Sequence, residues 1–248
     1  MTGENWRERQ RCSFGGAAHE YERVRPGYPA AVLTWLLAPG ARRVADLGAG
    51  TGKFTRVLAG AGLDVVAVEP SAGMRAEFAT ALPGVPVVDG SGEALPFEDG
   101  SLDAVVAAQA WHWVDPARAV PEVARVLRPG GSLGLVWNVR VPSVAWVDAL
   151  EKLLGPAGHG ESWAEDVAVS PPFGPLERHE LAWRSELRPE QVVDLVASRS
   201  YLLSAEPSER ESLLDAVRRL LQEHPDTRDR DTVTLPYRTL CYRAVLPG

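Results

Sequence analysis

The chain has 248 residues, and its 26 Lys and Arg against 33 Asp and Glu leave a formal net charge of −7. That balance argues against a nucleic-acid partner, because phosphate recognition needs a basic face, and 45% hydrophobic residues supply enough core to exclude a disordered chain. Two cysteines, Cys12 and Cys241, are too few for a disulfide scaffold or a Cys-rich metal site, and the longest uncharged apolar run, Ala104 to Val114, is far short of the roughly 20 residues a membrane span requires. A cytoplasmic protein with no membrane partner and no bound metal is expected.

From residue 41 onward short apolar runs alternate with amphipathic segments, the pattern of a βαβ layered fold. Val44–Leu47 reads as a strand entering a glycine-rich turn, Lys53–Ala61 as a helix, and Asp64–Glu69 as the next buried strand. Ser71 is placed to cap a helix through Met74, Phe78 and Leu82, and an extended run resumes at Val85–Val88. Leu102–Ala108 is almost wholly apolar, as a strand buried on both faces of a parallel sheet must be. Asp115-Pro116 starts a helix that Pro129-Gly130-Gly131 closes, and Leu133–Asn138 forms the next strand.

The last 100 residues change character. Leu176–Leu187 puts His179, Leu181, Trp183 and Leu187 on one face and Arg178, Glu180, Arg184 and Glu186 on the other, predicting an antiparallel strand at a sheet edge. Two helices follow, the second with Ser208 and Glu211 at capping-box spacing. Thr232–Val245 closes the chain as a strand interrupted at Pro236. With no Gly/Ser/Pro-rich linker between these parts, residues 1–248 read as a single α/β domain with a doubly wound, mostly parallel sheet.

The informative segment is Asp46-Leu47-Gly48-Ala49-Gly50-Thr51-Gly52, a strand that runs into three glycines at alternate positions and then a helix. Such a turn lets a ligand touch backbone where a Cβ would collide. A P-loop would need Gly at 47 and Ser or Thr at 54, where the chain has Leu47 and Phe54. A dinucleotide fingerprint would need Gly at 53, where Lys53 stands, so an NAD-dependent dehydrogenase is disfavoured. What remains is an acid two residues before the first glycine, G-x-G-x-G, and an acid, Glu69, at the end of the next strand.

DLGAGTG (46–52), AVEPSAGM (67–74), GSGEALPFEDGSLDAVVAAQAWHW (90–113) and RVLRPGGSLGLVWN (125–138) together resemble the class I S-adenosylmethionine-dependent methyltransferases of the ubiquinone/menaquinone kind, the type 11 domain. FGGAAHEYERVRPGYP and AAQAWHW are similar to the trans-aconitate methyltransferase-like group within it. The resemblance implies a Rossmann-like seven-stranded sheet of order 3-2-1-4-5-7-6, last strand antiparallel, with helices on both faces and a helical lid. It also implies a cofactor-binding core over 15–140 and an acceptor-side lid with terminal strands over 141–248. For S-adenosylmethionine it implies a cradle from Asp46, Gly48, Ala49, Gly50, Thr51 and Gly52, with Glu69 and Pro70 at the ribose. Met74 would lie beneath the adenine or belong to the core, and Ser91, Gly92 and Glu93 would follow its edge, Ser91 standing where the family usually has Asp. Gln109 would lie near the methyl group, while Tyr21 and Arg25 belong to the lid, Arg25 facing the cofactor's carboxylate.

Methyl transfer from a sulfonium is an in-line displacement on an activated donor, so orientation, worth roughly 7–11 kcal/mol, does most of the catalysis. His112 is the candidate general base, the alternative being a histidine packed between Trp111 and Trp113. Trp111 and Trp137 suit an aromatic acceptor pocket or an ordinary core, and Arg199 has the guanidinium fork that matches a carboxylate. Ser170-Pro171-Pro172-Phe173 has the form of an amine-methylating motif but lies about 60 residues too late, so it reads as loop. The expected reaction is methyl transfer to a small organic acceptor, at oxygen before nitrogen or carbon, with a non-catalytic cofactor-binding protein as the other class of reading.

Overall fold

A computed structural model describes residues 25–155, 167, 169, 171–199, 202 and 205–248. The elements in chain order are α1 (Val32–Leu36), β1 (Arg43–Leu47), α2 (Lys53–Gly60), β2 (Asp64–Val68), α3 (Ala72–Ala81), β3 (Val87–Val88) and β4 (Leu102–Ala108). Then come a 3₁₀ turn (Trp111–Trp113), α4 (Pro116–Val126), β5 (Leu127–Arg140), α5 (Ala145–Leu154), β6 (Glu177–Leu187), α6 (Pro189–Ala197), α7 (Pro207–Glu223) and β7 (Val233–Val245). The seven strands form one sheet of order β3-β2-β1-β4-β5-β7-β6. The first five pair in parallel. Gly130 N bonds Leu246 O and Val141 N bonds Pro236 O, while Arg243 pairs with Glu177 and Thr234 with Glu186, so residue numbers rise on one strand as they fall on the other and β7 is antiparallel to both neighbours.

Local chemistry starts the helices. Ser71 Oγ accepts from Met74 N at 3.4 Å, and Asp115 Oδ1 accepts from Ala117 N at 3.0 Å with Pro116 at the first turn of α4. Each cap contributes about 1 kcal/mol. The expected capping box of α7 does not form: Glu206 is the N-cap, Pro207 occupies the first turn, and Glu211 instead accepts from Arg218 at 2.9 Å. At α6 the back-bond is present, Gln191 Oε1 accepting from Arg188 N at 2.9 Å.

Three strand boundaries differ from the sequence pattern. β3 is reduced to two residues, because Val85 N bonds back to Leu82 O and the run before it is a turn. β5 begins at Leu127, ahead of Pro129-Gly130-Gly131, and the register with β4 jumps from Leu102↔Leu127 to Ala104↔Ser132. The Pro-Gly-Gly segment is a bulge held by Leu246, the residue just after β7, a partner over 100 residues away in the chain. Pro236 does not interrupt β7, since its missing N–H is no loss where its carbonyl makes the ladder bond to Val141.

The chain divides into two compact units. One comprises Gly27–Asn138, Asp166–Leu181 and Thr239–Gly248; the other comprises Met1–Pro26, Val139–Glu165 and Ala182–Arg238. In the first, α1, β1, α2 and β4 share a core that includes Leu36, Val44, Phe54, Leu58 and Val106. In the second, α7 packs on α5 and α6 around Trp146, Leu150, Val196, Val217 and Leu235. Each such side chain contributes about 1.5–3 kcal/mol by leaving water.

Candidate functional site

The glycine loop between β1 and α2 lies at the carboxyl end of the parallel strands, where open α/β sheets bind ligands. Gly48 N and Ala49 N donate to Val68 O at 2.8 and 3.2 Å, tying the loop to the end of β2. Gly48, Gly50 and Gly52 all have positive φ, +67°, +58° and +92°. The space around them separates their roles. A Cβ on Gly48 would lie 2.5 Å from the Ala110 Cβ, and one on Gly52 would meet Leu82 and Phe78 at 2.6 and 2.9 Å. A Cβ on Gly50 would have nothing within 4 Å. Packing inside the unit requires the first and third glycines, whereas Gly50 faces open space and leaves its backbone approachable.

Glu69 is 7% exposed, and its carboxylate joins two loops: Oε2 accepts from Gly50 N and Oε1 from Ser71 N, both at 2.9 Å. Asp46, at the end of β1, is 1% exposed. Its Oδ2 accepts from Thr55 Oγ1 at 2.5 Å, and its Oδ1 is buried with no hydrogen-bond partner. Burial pushes this carboxyl up to about 7, the Thr55 hydrogen bond opposes the shift, and the Glu69 charge adds to it. A buried, unpartnered acceptor at the root of a glycine turn whose Gly50 faces open space fits the ammonium of the cofactor, or a water carrying it, so these residues match the group that the sequence implies.

The other predicted positions divide. Ala49 and Pro70 are half-buried and Thr51 is buried at the same loops. Met74 is 5% exposed on α3. A Cβ on Gly92 would come within 2.9 Å of Val114 and 3.3 Å of Leu47, so that glycine is a close-packing position. Ser91 makes reciprocal backbone bonds with Ala94. Glu93 Oε1 accepts from Asp115 N at 2.8 Å, fastening its segment to the start of α4.

Gln109 follows β4 with φ of +56°, a left-handed conformation that a non-glycine residue holds only under constraint. The constraint is visible: Gln109 N donates to Val136 O at 2.8 Å and Nε2 to Asn138 O at 2.9 Å. Asn138 is fixed in turn, with Nδ2 on Gly27 O at 2.9 Å and Oδ1 accepting from Thr239 at 2.7 Å. Trp111 is 4% exposed and Trp137 1%. Trp137 Nε1 donates to His112 Nδ1 at 3.4 Å, and the His112 ring lies 4.7 Å from that of Trp113. An imidazole that accepts at Nδ1 carries its neutral-form proton on Nε2.

Arg25 and Arg199 belong to the second unit. Arg25 donates from Nε to Ser198 Oγ and from Nη2 to Ser198 O, both at 3.2 Å, which joins it to the residue before Arg199. Arg140 and Glu151 form a buried ion pair in the same unit, and Trp183 stacks on Tyr237 with ring centroids 4.8 Å apart. Tyr21 lies outside the described residues. Thr55 and Asn138, absent from the predicted set, are the residues that hold the Asp46 carboxylate and the pose of Gln109. Thr55 lay in plain sight in the first turn after the glycines, but Asn138 had no local signal. Among the described residues no three His, Cys, Asp or Glu side chains are grouped to hold a metal, and no helix is long and apolar enough to cross a membrane.

Comparison with known proteins agrees with this geometry. The methyltransferase domain family matches residues 45–135, from β1 to the middle of β5. An uncharacterized methyltransferase of Mycobacterium tuberculosis is 50% identical over 234 residues, covering 94% of this chain and 96% of that protein. An uncharacterized methyltransferase-like protein of Schizosaccharomyces pombe is 32% identical over 234 residues, covering 90% and 91%. A solved structure from Anaeromyxobacter dehalogenans, proposed to be a type II methyltransferase, superposes with a TM-score of 0.70 at 25% identity, covering 90% of this chain and 99% of that one.

Proposed function

The chain belongs to the S-adenosylmethionine-dependent methyltransferases, and from that premise we propose that it methylates a small organic acceptor at oxygen. When bound, the cofactor supplies an electrophilic methyl group on a positively charged sulfur. The chain's own residues bind and orient. Gly50 is the approachable part of the loop, flanked by half-buried Ala49 and buried Thr51, which would complete the cradle, and Gly48 and Gly52 hold its shape by packing. Glu69, whose two carboxylate oxygens are held in place by Gly50 N and Ser71 N, would receive the ribose hydroxyls beside Pro70. Asp46 Oδ1 would receive the ammonium. Met74, Ser91 and Gly92 would shape the adenine side, with Glu93 anchoring that segment to α4. Gln109 would present its constrained backbone near the transferred methyl group.

The observation that carries the oxygen reading is the Trp137–His112 contact. With Nδ1 engaged and the proton on Nε2, His112 is a hydrogen-bond donor rather than a base. An acceptor that arrives deprotonated, such as a carboxylate, needs no base, whereas a protonated amine or a carbon acid does. Arg199 has the guanidinium fork suited to such an anion, and Arg25 would face the cofactor's own carboxylate. The resemblance of the Phe14–Pro29 and Ala107–Trp113 segments to the trans-aconitate methyltransferase-like group makes polycarboxylates the first acceptors to try.

The test uses methyl-labelled S-adenosylmethionine with a panel of carboxylates, phenols and amines, followed by alkaline hydrolysis. Alkali-labile label in a carboxylate product is expected; label on a phenol oxygen, which arrives protonated, would keep the oxygen reading and return His112 to the role of base. Alkali-stable label on nitrogen or carbon overturns the oxygen reading. Tight binding of S-adenosylhomocysteine by calorimetry with no transfer to any panel member identifies a binding protein instead.

A further inference from the structure

We propose that β6 is the joint of a symmetric homodimer, in which two copies pair their β6 strands antiparallel about a twofold axis at Ala182 and continue one sheet into the other. β6 stands at the edge of the sheet order, with β7 as its neighbour on the inner side. At 11 residues it is about twice the common strand length. It contains neither proline nor glycine, and its run Glu177–Leu187 is unbroken. Edge strands are usually blunted by brevity, proline, bulges or charged side chains, and of these devices this strand shows only the charges.

Its charges alternate in sign. Arg178, Glu180, Ala182, Arg184 and Glu186 are all exposed and share one face of the strand. A twofold axis perpendicular to the sheet pairs residues on the same face, so each candidate register is centred on a residue. Centring on Ala182 sets Arg178 opposite Glu186 of the second copy and Glu180 opposite Arg184, with every charged pair on that face complementary. On the other face it sets Leu181, half-buried, opposite Trp183 of the second copy. The neighbouring registers fail. A centre at Leu181 opposes Arg178 to Arg184, one at Trp183 opposes Glu180 to Glu186, and centres at Glu180 or Arg184 oppose that residue to itself. Centres at His179 or Ser185 also oppose unlike charges but overlap only five residues of the strand, so the Ala182 centre is the one complementary register that uses its full length.

The existing contacts of these side chains are compatible with this arrangement. Arg178 pairs with Glu180 along the strand at 2.5 Å and Glu186 accepts from Thr234 at 2.7 Å, contacts that leave all three strand residues on the exposed face. A strand joint is a small interface, and association on the order of micromolar is expected.

Sedimentation velocity of the full chain from about 1 to about 100 μM tests this. A concentration-dependent dimer is expected. Glu180→Arg would set Arg against Arg at two symmetric positions and give a monomer, Arg184→Glu would do the same with two carboxylates, and the double exchange E180R/R184E would restore the dimer. Restoration shows that the single variants did not act through misfolding. The twofold position provides an independent readout, because Cα atoms opposite each other across antiparallel strands lie about 4.5–5.5 Å apart, within disulfide reach. Ala182→Cys in a C12S background is expected to cross-link into a covalent dimer under mild oxidation, and Glu186→Cys is not. A monomer at every concentration, a dimer that survives Glu180→Arg, or no cross-link at position 182 overturns the proposal. None of these readouts depends on methyl transfer.

Discussion

Thr55 donates its hydroxyl to Oδ2 of Asp46 across 2.5 Å, from the first turn of α2 to the last residues of β1, while the other oxygen of that buried carboxylate has no partner. The hydrogen bond favours the ionised form and burial opposes it more strongly, leaving Asp46 with a pKa of about 7. The residue at the root of the glycine loop therefore changes charge close to neutral pH.

Two pH effects are expected. The folded state holds the Asp46 proton to about 7 whereas the unfolded chain releases it near 3.8, so the stability contributed by the neutral form is complete below the lower value and is lost as pH rises through the upper one. Asp46→Asn should flatten this dependence, seen as a smaller difference between urea midpoints at about pH 5 and about pH 8. In the wild type, affinity for S-adenosylhomocysteine should rise as pH passes through about 7 and the carboxylate forms, and Asp46→Asn should abolish the rise. Thr55→Val should move the rise to higher pH. A binding isotherm independent of pH in the wild type would contradict the assignment of Asp46 to the ammonium.

Gly50 and Gly52 should separate ligand from packing. Either substitution to Ala places a side chain at positive φ, costing about 1–2 kcal/mol. Gly52→Ala adds a clash with Phe78 and Leu82, about 1–3 kcal/mol more, and should lower Tm further than Gly50→Ala does. Calorimetry with S-adenosylhomocysteine should show the reverse order: Gly50→Ala folds and loses binding, because its Cβ enters the space that the cofactor would use.

His112 is best tested by two substitutions. Glutamine can still accept from the Trp137 indole, so His112→Gln should keep most of kcat; phenylalanine cannot, and leaving that buried N–H unpaired should cost about 1–3 kcal/mol of stability. A hundredfold fall in kcat for His112→Gln, with its Tm unchanged, would make His112 a base after all.

In the second unit the buried Arg140–Glu151 pair should respond asymmetrically. Removing one partner, as in Glu151→Leu, leaves a buried guanidinium and should destabilise by about 3–5 kcal/mol in urea titration, while the double substitution R140M/E151L should recover most of that loss.

The chain's local signals reached a definite depth. Asp46 to Gly52, the apolar Leu102–Ala108, and the capping residues Ser71 and Asp115 each act through neighbours a few positions away, so their spacing alone announced β1, the loop, β4 and the starts of α3 and α4. The alternating β6 was legible for the same reason, since period two is a property of the strand itself. Ser208 and Glu211 had the right spacing and still formed no box, because Pro207 sets where α7 begins.

What stayed hidden depends on pairs far apart in sequence. The acceptor for Gln109 is Asn138, Glu93 is held by Asp115, and the Pro129-Gly130-Gly131 bulge pairs with Leu246. The sequence by itself determined an acidic chain from its charge, an α/β order from the alternation of apolar runs, and a glycine turn suited to a nucleoside-type ligand from the spacing of residues 46–52. The tertiary structure decided which glycine faces that ligand and which two serve packing, because the three share the same backbone conformation and differ only in what stands opposite their missing side chains.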